Sequence, residues 1–276
     1  MSELGVAVHA LEPISLTEMN ARARLLTRVD RKYFVPRAVL AQIVSASGGF
    51  YRALEIDGRR EFRYDTVYFD SPRFDFFRAH VQGRRHRYKV RTRTYRDSGD
   101  CLLEVKSKGY RGQTVKERVA HDADGPLALG AEGSRFVGLV TGGPADVLRP
   151  VVSTTYHRVT LTHGDQRVTC DLDLIVHGAG AVFGGPDDVL VETKSPGGAG
   201  RLDRALLECG VRPHRVSKYC VGVALCYPHL PHNPWQRTLS RYFRPAGISE
   251  VSEVAWPGPE GPGYAATRRA SVAASS

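Results

Sequence analysis

Charged and apolar positions alternate with a period of two over long stretches of this chain. In Arg87-Tyr-Lys89-Val-Arg91-Thr-Arg93-Thr-Tyr95 the odd positions are basic up to Tyr95, and the even ones are aromatic, β-branched or Thr. The alternation returns in Leu102-Leu-Glu104-Val-Lys106-Ser-Lys108, in Thr114-Val-Lys116-Glu-Arg118-Val and in Tyr156-His-Arg158-Val-Thr160-Leu. Asp171-Leu-Asp173-Leu repeats it with acids, Leu190-Val-Glu192-Thr-Lys194 with both signs, and Arg28-Val-Asp30-Arg-Lys32 begins it near the start. A β-strand points successive side chains to opposite faces, so each stretch predicts a strand with one charged face and one packing face.

One such strand on its own reads as a surface strand with its polar face in water. Six or seven in succession read differently. If their apolar faces lie under covering helices, the charged faces line an interior, and a closed antiparallel barrel achieves this while removing sheet edges. The expected class is therefore α+β: a closed antiparallel β-barrel of about eight strands, with a polar, basic lumen and helices packed outside. Helices are expected at 36–45, at 73–81 between a Ser71 cap and Gly83, at 126–140, at 200–209 and at 217–225. Strands at 50–56 and 60–69 flank Asp57-Gly58, a strong hairpin signal. Gly178-Ala-Gly180 to Gly185 lacks phosphate-loop spacing and reads as a hairpin loop. The expected division is an N-terminal extension over 1–20, a barrel domain over 21–229 and a flexible Pro/Gly/Ala/Ser-rich tail over 230–276, which carries a weak kinase motif at Arg268-Arg-Ala-Ser271.

Composition narrows the class. The chain has 276 residues, 42% hydrophobic and 25% charged, ordinary values for a protein that buries a core. No stretch approaches the roughly 20 apolar residues of a membrane helix, and Met1 to Leu11 has no secretory pattern. The five cysteines are scattered and never spaced C-x-x-C, so they read as reduced thiols of a cytoplasmic protein. Lys and Arg number 39 against 29 Asp and Glu, a net charge of +10 that implies an acidic partner: nucleic acid, anionic lipid or a phosphate-rich small molecule. Twelve basic and four acidic residues fall between Arg84 and Arg118, so the excess belongs to the alternating strands. No stacking-aromatic motif of the RNA-binding type accompanies them, which argues against nucleic acid.

Asp30-Arg-Lys32-Tyr33, Tyr68-Phe-Asp70-Ser, Tyr88-Lys89-Val-Arg91-Thr-Arg93-Thr-Tyr95, Leu103-Glu104-Val-Lys106, Val115-Lys116-Glu-Arg118, Glu192-Thr-Lys194 and Ser217-Lys218-Tyr219 occur in that order. Together they resemble the VTC domain, the polyphosphate polymerase domain of the vacuolar transporter chaperone complex, in the triphosphate tunnel metalloenzyme (CYTH-like) superfamily. The resemblance runs from about Arg24 to Tyr227. It implies a tunnel that transfers the terminal phosphate of ATP onto inorganic polyphosphate, with Mn²⁺ or Mg²⁺ as cofactor. Carried over by motif, the phosphate contacts are Lys32, Lys89, Arg91, Arg93, Lys106, Lys116, Arg118, Tyr156, Arg158, Lys194, Arg215 and Lys218. Within that set Lys32, Arg91, Arg93, Lys106, Lys116, Arg158 and Lys218 would carry the transfer, with Glu192 and, as a second candidate, Glu104 holding the metal. The superfamily's first strand often reads Glu-x-Glu-x-Lys; Arg28-Val-Asp30-Arg-Lys32 departs from it, which favours a basic polymerase-type lumen over a two-metal hydrolase. The attached SPX domain and membrane helices of the eukaryotic proteins have no counterpart in this sequence.

Phosphoryl transfer requires mainly alignment and charge neutralisation, so the lack of a Ser-His-Asp or Cys-His set does not count against catalysis. Arginine forks suit phosphate oxygens in pairs, and lysines act as point charges. Hydrolysis of triphosphate, or polyphosphate binding without catalysis, remains open at this level. Glu104 and Glu192 also read as acids that neutralise Lys106 and Lys194, and Asp171 and Asp173 as polar wall residues. His86, His157 and His163 lack ligand spacing, and Tyr68-Phe69-Asp70 reads as packing plus a helix cap.

Overall fold

Strands with one apolar face need a covering layer on that side, and the helices of this chain supply it. The computed structural model describes residues 2–22, 28–108, 114–123 and 125–246. Its first half runs α1 (Glu3–His9), β1 (Glu12–Ile14), α2 (Leu16–Arg22), β2 (Arg28–Val35), α3 (Arg37–Ser45), β3 (Arg52–Leu54), β4 (Glu61–Asp70), α4 (Asp75–Val81), β5 (Tyr88–Tyr95), β6 (Cys101–Lys108) and β7 (Thr114–His121). Then follow α5 (Gly130–Thr141), β8 (Arg149–His163), β9 (Gln166–Gly178), β10 (Ala181–Gly184), β11 (Val189–Pro196), α6 (Arg201–Glu208), α7 (Lys218–Cys226), a 3-10 turn (Asn233–Trp235), α8 (Gln236–Tyr242) and β12 (Arg244–Pro245).

Eight strands form one antiparallel path, β2-β11-β9-β8-β4-β5-β6-β7. Four short strands attach to it: β10 beside β9 with β12 beyond it, and β3, with β1 parallel to it, beside β8. The expected closed barrel of about eight strands is corrected here. The sheet has twelve strands, and among the described residues no ladder joins β7 to β2. Strand β7 is exposed along nearly its whole length and carries Lys116, Glu117 and Arg118, charges that blunt a sheet edge.

The sheet still curls. In a flat sheet β6 would lie five strand spacings from β11, about 24 Å. Glu192 on β11 nevertheless acts electrostatically on both Lys89 of β5 and Lys106 of β6. Outside this trough, Tyr33, Val35, Cys170, Val189 and Val191 pack against Leu4 and Val8 of α1, Leu40 and Val44 of α3, and Leu202 and Leu206 of α6. Val67, Val90, Leu103 and Val105 pack against Leu129 and against Val137 of α5.

Helix α7 packs on Val152, Leu174 and Val176, with Phe34, Tyr68, Tyr156 and Leu190 in the same cluster. It sits close enough that a Cβ on Gly222 would lie 2.8 Å from Cγ2 of Val152. The Tyr219 hydroxyl of α7 donates to Asp70, which also accepts from the Phe76 and Phe77 amides and so caps α4.

Three local expectations change. Asp57 and Gly58 do form a left-handed turn, with φ of 49° and 73°, closed by the Ile56–Arg59 bridge. The strands they join do not pair as a hairpin; β3 and β4 both run antiparallel to β8, on successive stretches of its edge. Packing also continues past residue 230, where the flexible tail was expected: Leu230, Trp235 and Phe243 are buried and β12 pairs with β10. At the other end, α1 joins the main core, and the Arg60 guanidinium donates to the carbonyls of Val8, His9 and Leu11. Residues 247–276, including Trp256 and the Arg268-Arg-Ala-Ser271 motif, lie outside the described residues. No helix among the described residues is long and apolar enough to cross a membrane.

The close seat of α7 yields a stability prediction. Gly222→Val forces its side chain into Val152 and Val176, and overpacking of this kind costs about 1–3 kcal/mol. Urea unfolding should show that loss; an unchanged midpoint would mean that α7 is not held against the sheet as described.

Candidate active site on the concave face

Cross-strand register brings the alternating charges onto one face. Lys89, Lys106 and Lys116 stand side by side on β5, β6 and β7, and Arg91, Glu104 and Arg118 form the next row. On the other flank Glu192 opposes Lys32 and Lys194 opposes Asp30, while Arg158 opposes Asp171. Strand β4 adds Thr66 opposite Arg93 and Tyr68 opposite Arg91.

The acids on this face are all engaged by bases. Glu104 is 0% exposed; its Oε2 accepts from Arg91 Nε at 2.7 Å and Nη2 at 2.5 Å, and its Oε1 from Lys116 at 2.8 Å. Burial pushes this carboxyl up, but Arg91, Arg93 and Lys116 outweigh it and hold it well below the usual carboxylate range. Asp171 accepts from Arg158 Nε at 2.6 Å and Nη2 at 2.9 Å, and from Lys218 at the start of α7. Glu192 accepts from Lys194 at 2.5 Å and lies 3.6 Å from Lys32, while Lys194 also donates to Asp30 at 3.0 Å.

Other cations have no such partner. Among the described residues neither Lys89 nor Lys106 has a carboxylate in ion-pair reach, and Arg93 makes only a long, 3.4 Å bond to Thr66. Arg91 and then burial drive the Lys106 ammonium well below its ordinary value of 10.5. Burial, with Lys32 and Arg91 nearby, lowers Lys89 as well. These are desolvated positive charges facing one another.

An aromatic wall borders them. Tyr64 and Tyr156 stack with centroids 5.5 Å apart, and the Arg158 guanidinium lies over both rings. Arg93 lies over Tyr64, and Lys218 sits 4.3 Å from the Tyr156 centroid. The Tyr156 hydroxyl is buried with no hydrogen-bond partner among the described residues. Burial would raise its pKa, but Arg93, Arg158 and Lys218 overcome that and lower it.

Lys32, Lys89, Arg91, Arg93, Glu104, Lys106, Lys116, Tyr156, Arg158, Glu192, Lys194 and Lys218 thus share one face. Arg118 lies in the same row but is exposed on the β7 edge, and Arg215 is exposed just ahead of α7. Sequence reasoning missed Tyr64 and Thr66, because in Phe62-Arg-Tyr64-Asp-Thr66-Val-Tyr68 the charges, Arg63 and Asp65, fall on the other face. It also treated Asp171 and Asp173 alike. A bulge sets two β9 residues, Asp173 and Leu174, opposite Tyr156 alone. Asp173 takes φ 52°, its side chain is 52% exposed, and it pairs with Arg37 and His157 outside, while Asp171 stays inside.

For a divalent metal the donor set is sparse. Among the described residues no three Asp, Glu, His or Cys side chains come together. Both Glu104 oxygens are committed to Arg91 and Lys116. Glu192 and Asp30, joined through Lys194, are a pair of hard oxygen donors on the open flank. They fit a Mg²⁺- or Mn²⁺-type ion that takes one or two protein carboxylates and completes its shell with substrate phosphates.

The Glu104 pairing predicts acid sensitivity. Because its folded pKa is depressed, its contribution is full above the ordinary value of 4.5 and is lost as pH falls through the folded value. Glu104→Gln should cost about 3 kcal/mol at neutral pH by leaving Arg91 and Lys116 without their counter-charge. It should also flatten the acid limb of the stability profile; equal limbs in both proteins would remove Glu104 from that role.

No curated protein shows significant similarity to the chain. Among solved structures, a candidate adenylate cyclase from Bacillus halodurans is similar at 12% identity and a TM-score of 0.46, covering 70% of this chain and 94% of that one. A candidate adenylyl cyclase from Hippeastrum, described as having a dominant triphosphatase activity, is similar at 16% identity and 0.48, covering 75% and 99%. A candidate adenylate cyclase from Vibrio parahaemolyticus is similar at 14% identity and 0.41, covering 71% and 98%. Residues 27–131, which take in the β5, β6 and β7 rows of the concave face, match the family model of the VTC domain.

Proposed function

We propose that the concave face binds a linear phosphate chain and extends it, transferring the terminal phosphate of ATP onto inorganic polyphosphate. The observation that carries this reading is the group of Lys89, Lys106 and Arg93, half-buried lysines and a buried arginine on one face with no carboxylate in ion-pair reach among the described residues. A fold tolerates such a group when a ligand supplies the missing anion. The VTC-domain match supports an enzyme that acts on triphosphate or polyphosphate chains.

In this reading a terminal oxygen of the polyphosphate attacks the γ-phosphorus of ATP and a new P–O bond forms. The bond between that phosphorus and the β–γ bridging oxygen breaks, and the electron pair leaves on ADP. The attacking oxygen is already a phosphate oxyanion, so no side chain need remove a proton. Arg91, Arg93 and Arg158 present planar forks to the chain. Lys32, Lys106, Lys116 and Lys218 neutralise the charge that builds on the transferred and leaving groups, and Lys89 and Lys194 contact neighbouring phosphates. Arg118 and Arg215, being exposed, serve the approach of the chain. Glu104 acts as a positioning residue, fixing Arg91 and Lys116, and Asp171 does the same for Arg158 and Lys218. A divalent ion held by Glu192 and Asp30 would supply further neutralisation between the phosphates.

Incubation of the protein with ATP and Mn²⁺ should yield chains that lengthen on a polyphosphate gel, and Glu192→Ala should stop the growth while leaving chain binding. Orthophosphate release from tripolyphosphate without growth would replace the polymerase with a hydrolase. Binding with neither product would leave a binding module.

Lys106 separates a ligand-binding role from a structural one. Since burial and Arg91 oppose its charge, Lys106→Met should raise the unfolding temperature, by roughly 2–4 °C for each kcal/mol relieved. The same variant should weaken tripolyphosphate binding by about tenfold, the size of one charge-assisted contact. A destabilised variant with unchanged affinity would place Lys106 in the scaffold instead.

A further inference from the structure

Lys194 does not stand among the free cations; its ammonium lies between two carboxylates. It donates to Asp30 Oδ2 at 3.0 Å and to Glu192 Oε1 at 2.5 Å, while Lys32 lies 3.6 Å from the other Glu192 oxygen. The β2–β11 register imposes this arrangement, since Lys194 opposes Asp30 and Glu192 opposes Lys32 on one face. The two acids proposed to hold a divalent ion are therefore already bridged by a cation of the protein's own.

The geometry points to Lys194 as a resident counter-cation that a divalent metal must displace, which ties metal capture to the arrival of the phosphate chain. This inference rests on the metal-assisted reading of the same site. With Lys194 and Lys32 both in place, the two negative charges of the Asp30–Glu192 pair are neutralised, and Lys106 across the trough opposes a further positive charge. Two charges this close interact strongly even in a partly solvated setting. A phosphate chain changes both sides of that balance. Its oxygens accept the Lys194 ammonium, which sits on a flexible four-carbon stem. They also complete the oxygen shell that two carboxylates alone leave unfinished. The protein alone then holds metal weakly, and it holds metal firmly only where there is phosphate to act on.

The test is Mn²⁺ binding to the full chain without nucleotide or phosphate, followed by loss of the free-ion electron paramagnetic resonance signal. Wild-type protein should bind Mn²⁺ weakly. Lys194→Met and Lys194→Gln should each bind it at least about tenfold more tightly, because the competing charge is gone. Adding Glu192→Gln to Lys194→Met should abolish the gain. Two variants guard against a local packing effect of either side chain. If both bind no tighter than wild type while wild-type chain growth remains Mn²⁺-dependent, the counter-cation role is wrong and the polymerase reading stands. If both gain affinity through Glu192 but no chain growth occurs with ATP and Mn²⁺, the polymerase reading fails and the role of Lys194 stands.

Discussion

Bringing several positive charges together out of water opposes folding, and the rest of this molecule is organised around tolerating that opposition. Lys89, Lys106 and Arg93 have no carboxylate in ion-pair reach among the described residues, and their neighbours Arg91, Arg158, Lys32 and Lys218 are held still by acids. Tying an arginine to a buried carboxylate fixes its orientation while leaving part of its donor fork for a ligand. Glu104 and Asp171 each hold two bases in this way, from different strands or from strand and helix. The face is therefore pre-assembled, with the electrostatic cost carried by the apolar cores behind it.

The covering helices take on a specific purpose in that light. Charged residues cannot build a core among themselves, so the hydrophobic stabilisation comes from the opposite faces of the same strands and from the end of the concave face where Phe34, Tyr68 and Leu190 meet α7. Helices α1, α3 and α6 cover one flank and α5 the other. Helix α7 differs, because it packs on Val152, Leu174 and Val176 while its first residue, Lys218, reaches the charged region. It is at once part of the core and part of the site. Tyr64 and Tyr156 border the cations beside it, with Arg93 and Arg158 over Tyr64 and Arg158 and Lys218 over Tyr156.

Much of this was legible in the sequence because strand geometry converts a period of two directly into faces. The alternation from Arg87 to Tyr95 and from Leu102 to Lys108 is enough to place Lys89, Arg91, Arg93, Glu104 and Lys106 together. What local pattern could not convey was any departure from that period. The bulge at Asp173 turns one acid outward while Asp171 stays inside, although the sequence presents them identically. The Asp57-Gly58 turn forms as its residues dictate, yet the long β8 edge captures both flanking strands and prevents a hairpin. Closure was likewise beyond reach, since the relation of β7 to β2 depends on the accumulated curl of the whole sheet. Which base each acid would hold also depends on that curl and on α7.

In the proposed reading Lys89 and Lys106, without an ion-pair partner among the described residues, await a phosphate chain, and their own titration tests this most directly. With ¹³C-labelled lysine, nuclear magnetic resonance can follow Lys89 and Lys106, assigned by single substitutions, with and without tripolyphosphate. Both should titrate below the ordinary lysine value of 10.5 in the free protein and move upward when the polyanion binds, because the anion favours their charged form. Titration that stays unchanged on saturation with tripolyphosphate would mean that neither lysine meets the chain.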